Sequence, residues 1–421
     1  MSGFVGSLAA APDRKILGLL QRRALGYFLE NQGADGLVQD RQANHGPTRS
    51  EGPLSVSATG MGLIAVALAS ASPYRLISKA EAVDRVRAAI RTGLDRLPCD
   101  HGVFPHFVER VTLRPLGADT FSTVDSSWFL AGALWASGFL DDPELVEMAN
   151  DCYNRVDWRY WSTGPRGLAS WQIRHGKGPR GRFLPCSWDR ANGETLMMYV
   201  LAAGARDDRA IPGEAWRSLG PFYGEVAGHR FNNADLGLFV FQYGLDLLDL
   251  ARWRTPDGPD LRAEAAVAAL ANRDACLASA HRFQTYRRHW GLSAGDGPGS
   301  SAGLDAYNDY SPTKDLDGTA HLTATLASVA HQPDAVLANI RSAMAYDRSS
   351  PLGRYGLSSV NDDRGWIARD MVGIDAGAAI LALDNVLVED RVRSAFHELP
   401  CVRKGMERLG FQDDSGIRRA S

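Results

Sequence analysis

The feature that most constrains this chain is the recurrence of two kinds of helix. Residues 81–97 place Ala82, Val83, Val86, Ala89, Ile90, Leu94 and Leu97 at three- and four-residue spacings, with Asp84, Arg85, Arg87, Arg91 and Arg96 between them. That is an amphipathic helix with one wet face. Residues 123–140, TVDSSWFLAGALWASGFL, are apolar nearly all round, and a helix of that kind must be covered on every side. Residues 194–204 and 236–250 are predicted as further inner helices, and the alanine-rich 261–280 as an outer one. Helices are also predicted over 319–330, 334–346 and 374–388. No period-two strand ladder is evident. Two concentric layers account for the alternation: an inner buried ring and an outer ring that meets water on one face. The expectation is an all-α toroid formed by residues 1–421 as one domain, with 1–15 and 412–421 frayed and any sheet confined to loops.

Composition narrows the function classes. Apolar residues make up 45% of the 421 and charged residues 23%, with a net charge of −3. This gives ample core and no basic footprint for nucleic acid or an anionic membrane. No apolar run approaches the ~18 residues of a membrane helix. The opening MSGFVGSLAAAP lacks a basic stretch, so a cytoplasmic location is expected, or a periplasmic one if a signal was trimmed. Cys99, Cys152, Cys186, Cys276 and Cys401 are scattered and form no C-x-x-C pair; they read as buried free thiols, and no metal is expected. Walker, H-E-x-x-H and G-x-S-x-G motifs are missing. No cofactor is expected.

The loops hold the polar chemistry. Residues 31–56, 157–193 and 292–318 are long and rich in Gly, Asp, Arg and Trp. Loops beyond ~12–15 residues are uncommon in a compact domain unless they serve function or disorder, so these predict a cleft on a rigid scaffold. Among ten tryptophans, several adjoin Asp or Gly: Asp157-Trp158, Trp188-Asp189, Trp290-Gly291 and Gly365-Trp366. A sugar ring offers an apolar face and a hydroxyl rim, which an indole with neighbouring carboxylates and guanidinium groups would suit.

A set of segments occurs in a telling order: YFLENQGADGLVQDR, SVSATGMGLIAVALA, HGVFPHF, STVDSSWFLAGAL, RVDW, GETLMMYVLAAG, LFVFQYGLDLLD, WGLSAGDGPG, DGTAHLTATLAS, VGIDAGAAILALDN and RLGF. From about Tyr27 to Phe411 the chain resembles the bacterial glycoamylase-like domain family. That family includes endo-β-1,2-glucanases and is similar to the transglycosylating domain of cyclic β-1,2-glucan synthases. The resemblance implies an (α/α)6 barrel and a glycoside hydrolase or transglycosylase acting on β-1,2-glucan or a related bacterial glucan.

Glycoside hydrolysis generally needs two carboxyl groups. By residue pattern alone, Glu194, Asp375 and Asp125 are each either helix-terminal groups or carboxylates facing a cavity. The resemblance implies that Glu194 is the general acid and Asp375 the base, on opposite sides of one cavity and with inversion favoured, and that Asp125 supports them or touches substrate. Arg41, His106, Trp188, Asp189, Gln242, Tyr243, Trp290, Asp296 and Trp366 are the candidate substrate contacts, with Asp249 and Asp317 ranked lower. The expected partner is a glucan oligosaccharide or polysaccharide; oligomeric state stays open. Two other classes compete. A polysaccharide lyase would recruit Tyr307, Tyr310 or His106 as base, and a glycan-binding or assembly protein would keep the cleft without turnover.

Overall fold

The computed structural model describes residues 12–118, 120–163, 171–254, 257–299, 305–345 and 350–414. In chain order its helices are α1 (Asp13–Asn31), α2 (Val56–Ser70), α3 (Lys79–Asp95), α4 (Thr123–Leu140), α5 (Pro143–Asn154), α6 (Gly193–Gly204), α7 (Glu214–Arg217), α8 (Leu261–Ala278), α9 (Leu322–Ala327), α10 (Pro333–Met344), α11 (Gly373–Leu387), α12 (Arg391–His397) and α13 (Pro400–Arg408). None is long and apolar enough to cross a membrane, among the described residues.

The two kinds of helix sort as their sequences demand. In α2, α4, α6 and α11 nearly every residue is buried, whereas α3 buries one stripe running through Ala82, Val86, Ala89 and Ile90. The buried elements touch in sequence and close on themselves. α2 meets α4, α4 meets α6, and α6 meets a short 3-10 turn at Leu238–Phe241; that turn meets α9, α9 packs on α11, and α11 returns to α2. Outside this ring, α1 covers α11 and α2, α3 covers α2 and α4, α5 covers α4, α8 covers the 3-10 turn, α10 covers α9 and α13 covers α6.

Two glycines let α2 and α4 approach. A Cβ on Gly60 would stand 2.1 Å from the Trp128 carbonyl oxygen, and one on Gly132 would stand 1.9 Å from that of Gly60. No real side chain fits there, so the crossing depends on both positions staying bare.

One expectation is corrected. Residues 236–250 supply a buried wall of the ring but not an α-helix: a 3-10 turn is followed by further turns. Gly244 adopts φ +81°, and a Cβ on it would lie 2.1 Å from the Gly193 carbonyl oxygen. The left-handed backbone ends helical continuation and lets the segment touch the start of α6 directly.

Sheet is present as short strands in the connections. Val38–Gln39, Leu54–Ser55, Phe107–Val108 and Pro115–Leu116 form a four-stranded antiparallel sheet in that order. Arg41–Ala43 pairs antiparallel with Asp370–Val372, setting Arg41 opposite Val372. The stretch 292–318, read as a polar loop, contains a hairpin of Ala294–Pro298 with Asp305–Asp309; residues 300–304 lie outside the described residues, as do 164–170 of the 157–193 loop. The ends are also better tied than expected. Asp13–Lys15 are already helical, and Gln412–Asp413 pairs with Trp253–Arg254; residues 1–11 and 415–421 lie outside the described residues. None of the five cysteines is in a disulfide, but Cys99 and Cys186 are exposed rather than buried because both fall in loops.

Candidate active site

Three helices of the ring carry a carboxylate in their first turn: Asp125 in α4, Glu194 in α6 and Asp375 in α11. None is the capping residue. Ser122 caps α4 and Asn192 caps α6 through side-chain oxygens, and Val372 precedes α11 with no side-chain cap. The helix dipole favours the ionised form at this end, by typically less than ~1 kcal/mol. Withdrawal from water opposes it, and at Glu194 and Asp375 withdrawal wins. Burial pushes the Glu194 carboxyl up to about 7, assisted by the Asp125 charge and resisted by a hydrogen bond from Trp128. Burial pushes Asp375 up to about 7 as well, with Asp296 and Asp40 adding to the rise and Tyr243 and Arg41 opposing it. Both residues nevertheless keep some accessible surface.

These two groups are joined through two aromatic residues. Trp128 Nε1 donates to Glu194 Oε1 at 2.8 Å. The Trp128 ring meets Tyr243 edge-on, centroids 6.0 Å apart. The Tyr243 hydroxyl donates to Asp375 Oδ1 at 3.3 Å. Tyr243 is buried, and the charges of Asp375, Tyr307 and Glu194 reinforce burial in holding its phenol protonated. Asp125 accepts a short hydrogen bond from the Ser122 hydroxyl, and His106 Nε2 lies 3.5 Å from its Oδ1. The His106 ring stacks on Phe107 with centroids 3.8 Å apart.

A charged group flanks Asp375. Arg41 donates to both oxygens of Asp296 at 3.1 Å and to Asp40 at 3.2 Å. Burial works against this guanidinium, but the two carboxylates more than offset it and hold its pKa above the ordinary range. The strand pairing explains the placement: Val372 lies opposite Arg41, and the Gly373 N–H donates to the Asp40 carbonyl at 2.7 Å. Tyr307, on the hairpin, has its phenol raised by burial and by Asp375, Asp40 and Asp296. Trp366 donates from Nε1 to Asp305 at 2.8 Å on that same hairpin. Trp188 stacks on His175, centroids 4.0 Å apart, and donates to Thr123 Oγ1 at 3.2 Å, two residues before Asp125. Asp189 follows it and is exposed.

Two candidate substrate contacts are seated in the core. The Gln242 side chain is buried, and its amide nitrogen donates to the Ala324 carbonyl and to Ser328 Oγ, fastening the turn to α9. Trp290 is buried core, its carbonyl held by Thr325 and Asn339. Trp158, grouped with the loop tryptophans, is fully buried as well. In each case the flanking Gly or Asp marks a turn while the indole fills core. Tyr310 donates its hydroxyl to Asp317, and Asp249 caps the backbone of Ala251 and Arg252. The Asp249 region borders a cavity of about 450 Å3 that also touches Asn385. Ten residues separate Asn385 from Asp375 along α11, roughly 15 Å, so that cavity opens at the far end of the ring. Trp128, Asp40 and His175 were not anticipated. Trp128 sits in the second turn of α4, ahead of a long apolar run, and the bound carboxylate distinguishes it from the other core indoles.

A family model described as "Putative glucoamylase" (Glycoamylase) matches residues 185–400, just over half of the chain. No curated protein matches. Among solved structures, a putative glucoamylase from Bacteroides fragilis is 22% identical with TM-score 0.80, over 96% of this chain and 98% of that one. An endo-β-1,2-glucanase from Chitinophaga pinensis, in complex with sophorotriose and glucose, is 20% identical with TM-score 0.81, over 96% and 99%. An endo-β-1,2-glucanase from Talaromyces funiculosus, in complex with sophorose, is 9% identical with TM-score 0.62, over 93% and 91%. At these identities the likeness is one of fold.

Proposed function

The chain belongs to the Glycoamylase family, and from that premise we propose that it is an (α/α)6 toroidal glycoside hydrolase cleaving β-1,2-linked glucan. The observation that carries the reaction class is the pair Glu194 and Asp375: two carboxyls, each brought to about 7 by burial and linked through Trp128 and Tyr243. A glycosidase needs one carboxyl protonated and one ionised at working pH. Both carboxyls stand at about 7, with one neighbouring hydrogen bond favouring each anion and neighbouring carboxylates opposing it; Glu194 as general acid and Asp375 as base are the roles that the family resemblance implies. The β-1,2 linkage is proposed from the likeness to the two endo-β-1,2-glucanases, and inversion is what the family resemblance of the sequence implies.

In this reading Glu194 gives its proton to the departing glycosidic oxygen while the C–O bond breaks. Asp375 takes a proton from the water that bonds to the anomeric carbon, so one water is consumed and two chain ends are released. Product analysis with a panel of bacterial glucans tests the substrate, and NMR of the first-formed anomer tests inversion. Glu194→Gln and Asp375→Asn should each lower turnover by about 10²–10⁴-fold with the fold intact. Near-normal turnover in either variant would remove that residue from its role and bring Asp125 or Asp189 forward.

A further inference from the structure

Phe222 is a large apolar side chain left 52% exposed, even though the Arg190 guanidinium lies over its ring at 4.1 Å from the centroid. Arg190 is itself held in plane by Asp235, one guanidinium nitrogen 2.8 Å from both carboxylate oxygens. The site therefore sets an apolar ring and a charged rim side by side at the surface.

Its position gives it meaning. The Phe222 N–H donates to Asn232 Oδ1 at 2.7 Å, and the Asn232 and Asn233 amides donate to the Ala191 carbonyl at 2.7 and 2.9 Å. Ala191 stands three residues before Glu194. Phe222 is therefore fixed to the segment that delivers the proposed acid, on the rim where α6 begins. Trp188, on that segment, donates to Thr123 beside Asp125. Trp188 and Arg190 thus lie on one segment ahead of Glu194, and Phe222 is fastened to that segment through Asn232 and stacked under Arg190.

We infer that Phe222, with Arg190 and Asp235, is an outlying platform for one pyranose ring of a glucan chain, beyond the units that meet Glu194 and Asp375. The inference rests on the glucan reading above. The chemistry is complementary: the apolar C–H face of the sugar lies on the phenyl ring, and its hydroxyls meet the ion pair, whose side chains remain 33% and 38% exposed. Such a platform lengthens the stretch of chain that is gripped without altering the bond-breaking step.

Steady-state kinetics of the full chain on long β-1,2-glucan and on the shortest sophoro-oligosaccharide it cleaves test this. Phe222→Ala should raise KM for the polymer about tenfold, leave its kcat within about twofold, and leave KM for the short substrate unchanged. Phe222→Trp should restore the polymer KM. Tyr223, the adjacent exposed aromatic, lies under Arg230 rather than Arg190; Tyr223→Ala should change neither KM. An active wild type whose polymer KM is unmoved by Phe222→Ala, or moved equally for both substrates, overturns the platform and leaves the glucan reading standing. A wild type that cleaves no β-1,2-glucan overturns the glucan reading, and the platform with it.

Discussion

The indole of Trp128 and the carboxyl of Glu194 are joined across 2.8 Å, so a residue of α4 tunes the protonation of a group on α6. The N–H stabilises the carboxylate and pulls its pKa down against burial. Trp128→Phe removes the donor and keeps most of the ring. The Glu194 pKa should then rise above about 7, and the alkaline limb of the kcat/KM profile should move to higher pH. Turnover at neutral pH should fall about tenfold as the carboxyl loses its anchor. An unshifted alkaline limb would show that the limb reports another group.

Tyr243→Phe tests the other carboxyl. The phenol stabilises the Asp375 anion. Without it the Asp375 pKa rises, so the acid limb should move to higher pH and the active window should narrow. Circular dichroism should be unchanged, since the ring keeps its place against Trp128 and Phe239.

Both raised carboxyls cost stability in alkaline solution. Each binds its proton more tightly folded than unfolded. Their favourable contribution is complete below pH ~4 and is lost as pH rises through about 7. Glu194→Gln removes this titration. Relative to wild type it should gain up to about 3 kcal/mol in urea unfolding at pH 8.5, at roughly 1.4 kcal/mol per pKa unit, and almost nothing at pH 4. Equal gains at both pH values would contradict the burial account.

Gly60→Ala should destabilise by about 1–3 kcal/mol, as overpacking does, because its new methyl meets the Trp128 carbonyl at 2.1 Å. The forced separation of α2 from α4 also carries Trp128 with it, so turnover should fall alongside stability. Gly117, whose added Cβ would meet nothing within 4 Å but whose φ is +85°, separates the effects: Gly117→Ala should cost stability through backbone strain alone and leave turnover unchanged.

Much of the fold was legible because helical periodicity reports burial. The all-apolar 123–140 and 374–388 could only be inner, and the striped 81–97 only outer. The segment 236–250 misled because its composition matches a buried helix, whereas Gly244 and its contact with Gly193 dictate turns. The two-residue strands escaped notice since alternation needs several residues to show. In the site, Glu194, Asp375, Asp125, Arg41 and Tyr243 could be read as chemistry-bearing residues, and the first two were expected across one cavity, but the link between them through Trp128 and Tyr243 leaves no sequence pattern. Gln242 and Trp290 resemble cleft residues in sequence because a polar group in an apolar run, or an indole beside glycine, serves packing as readily as binding.

The pairing of Arg41 with Val372, and of the Asp40 carbonyl with Gly373, has a consequence for biosynthesis. Asp375 is seated by the first polar strand of the described chain, yet it is synthesised more than three hundred residues later. While the ribosome works through the intervening helices, Asp40 and Arg41 wait without the partner strand that orders them, and α1 lacks the α11 face that it covers. No nascent fragment ending before α11 can hold both carboxyls. Catalytic competence should therefore arrive in one step, late in translation, when the last ring helix leaves the exit tunnel and joins the two ends of the circle.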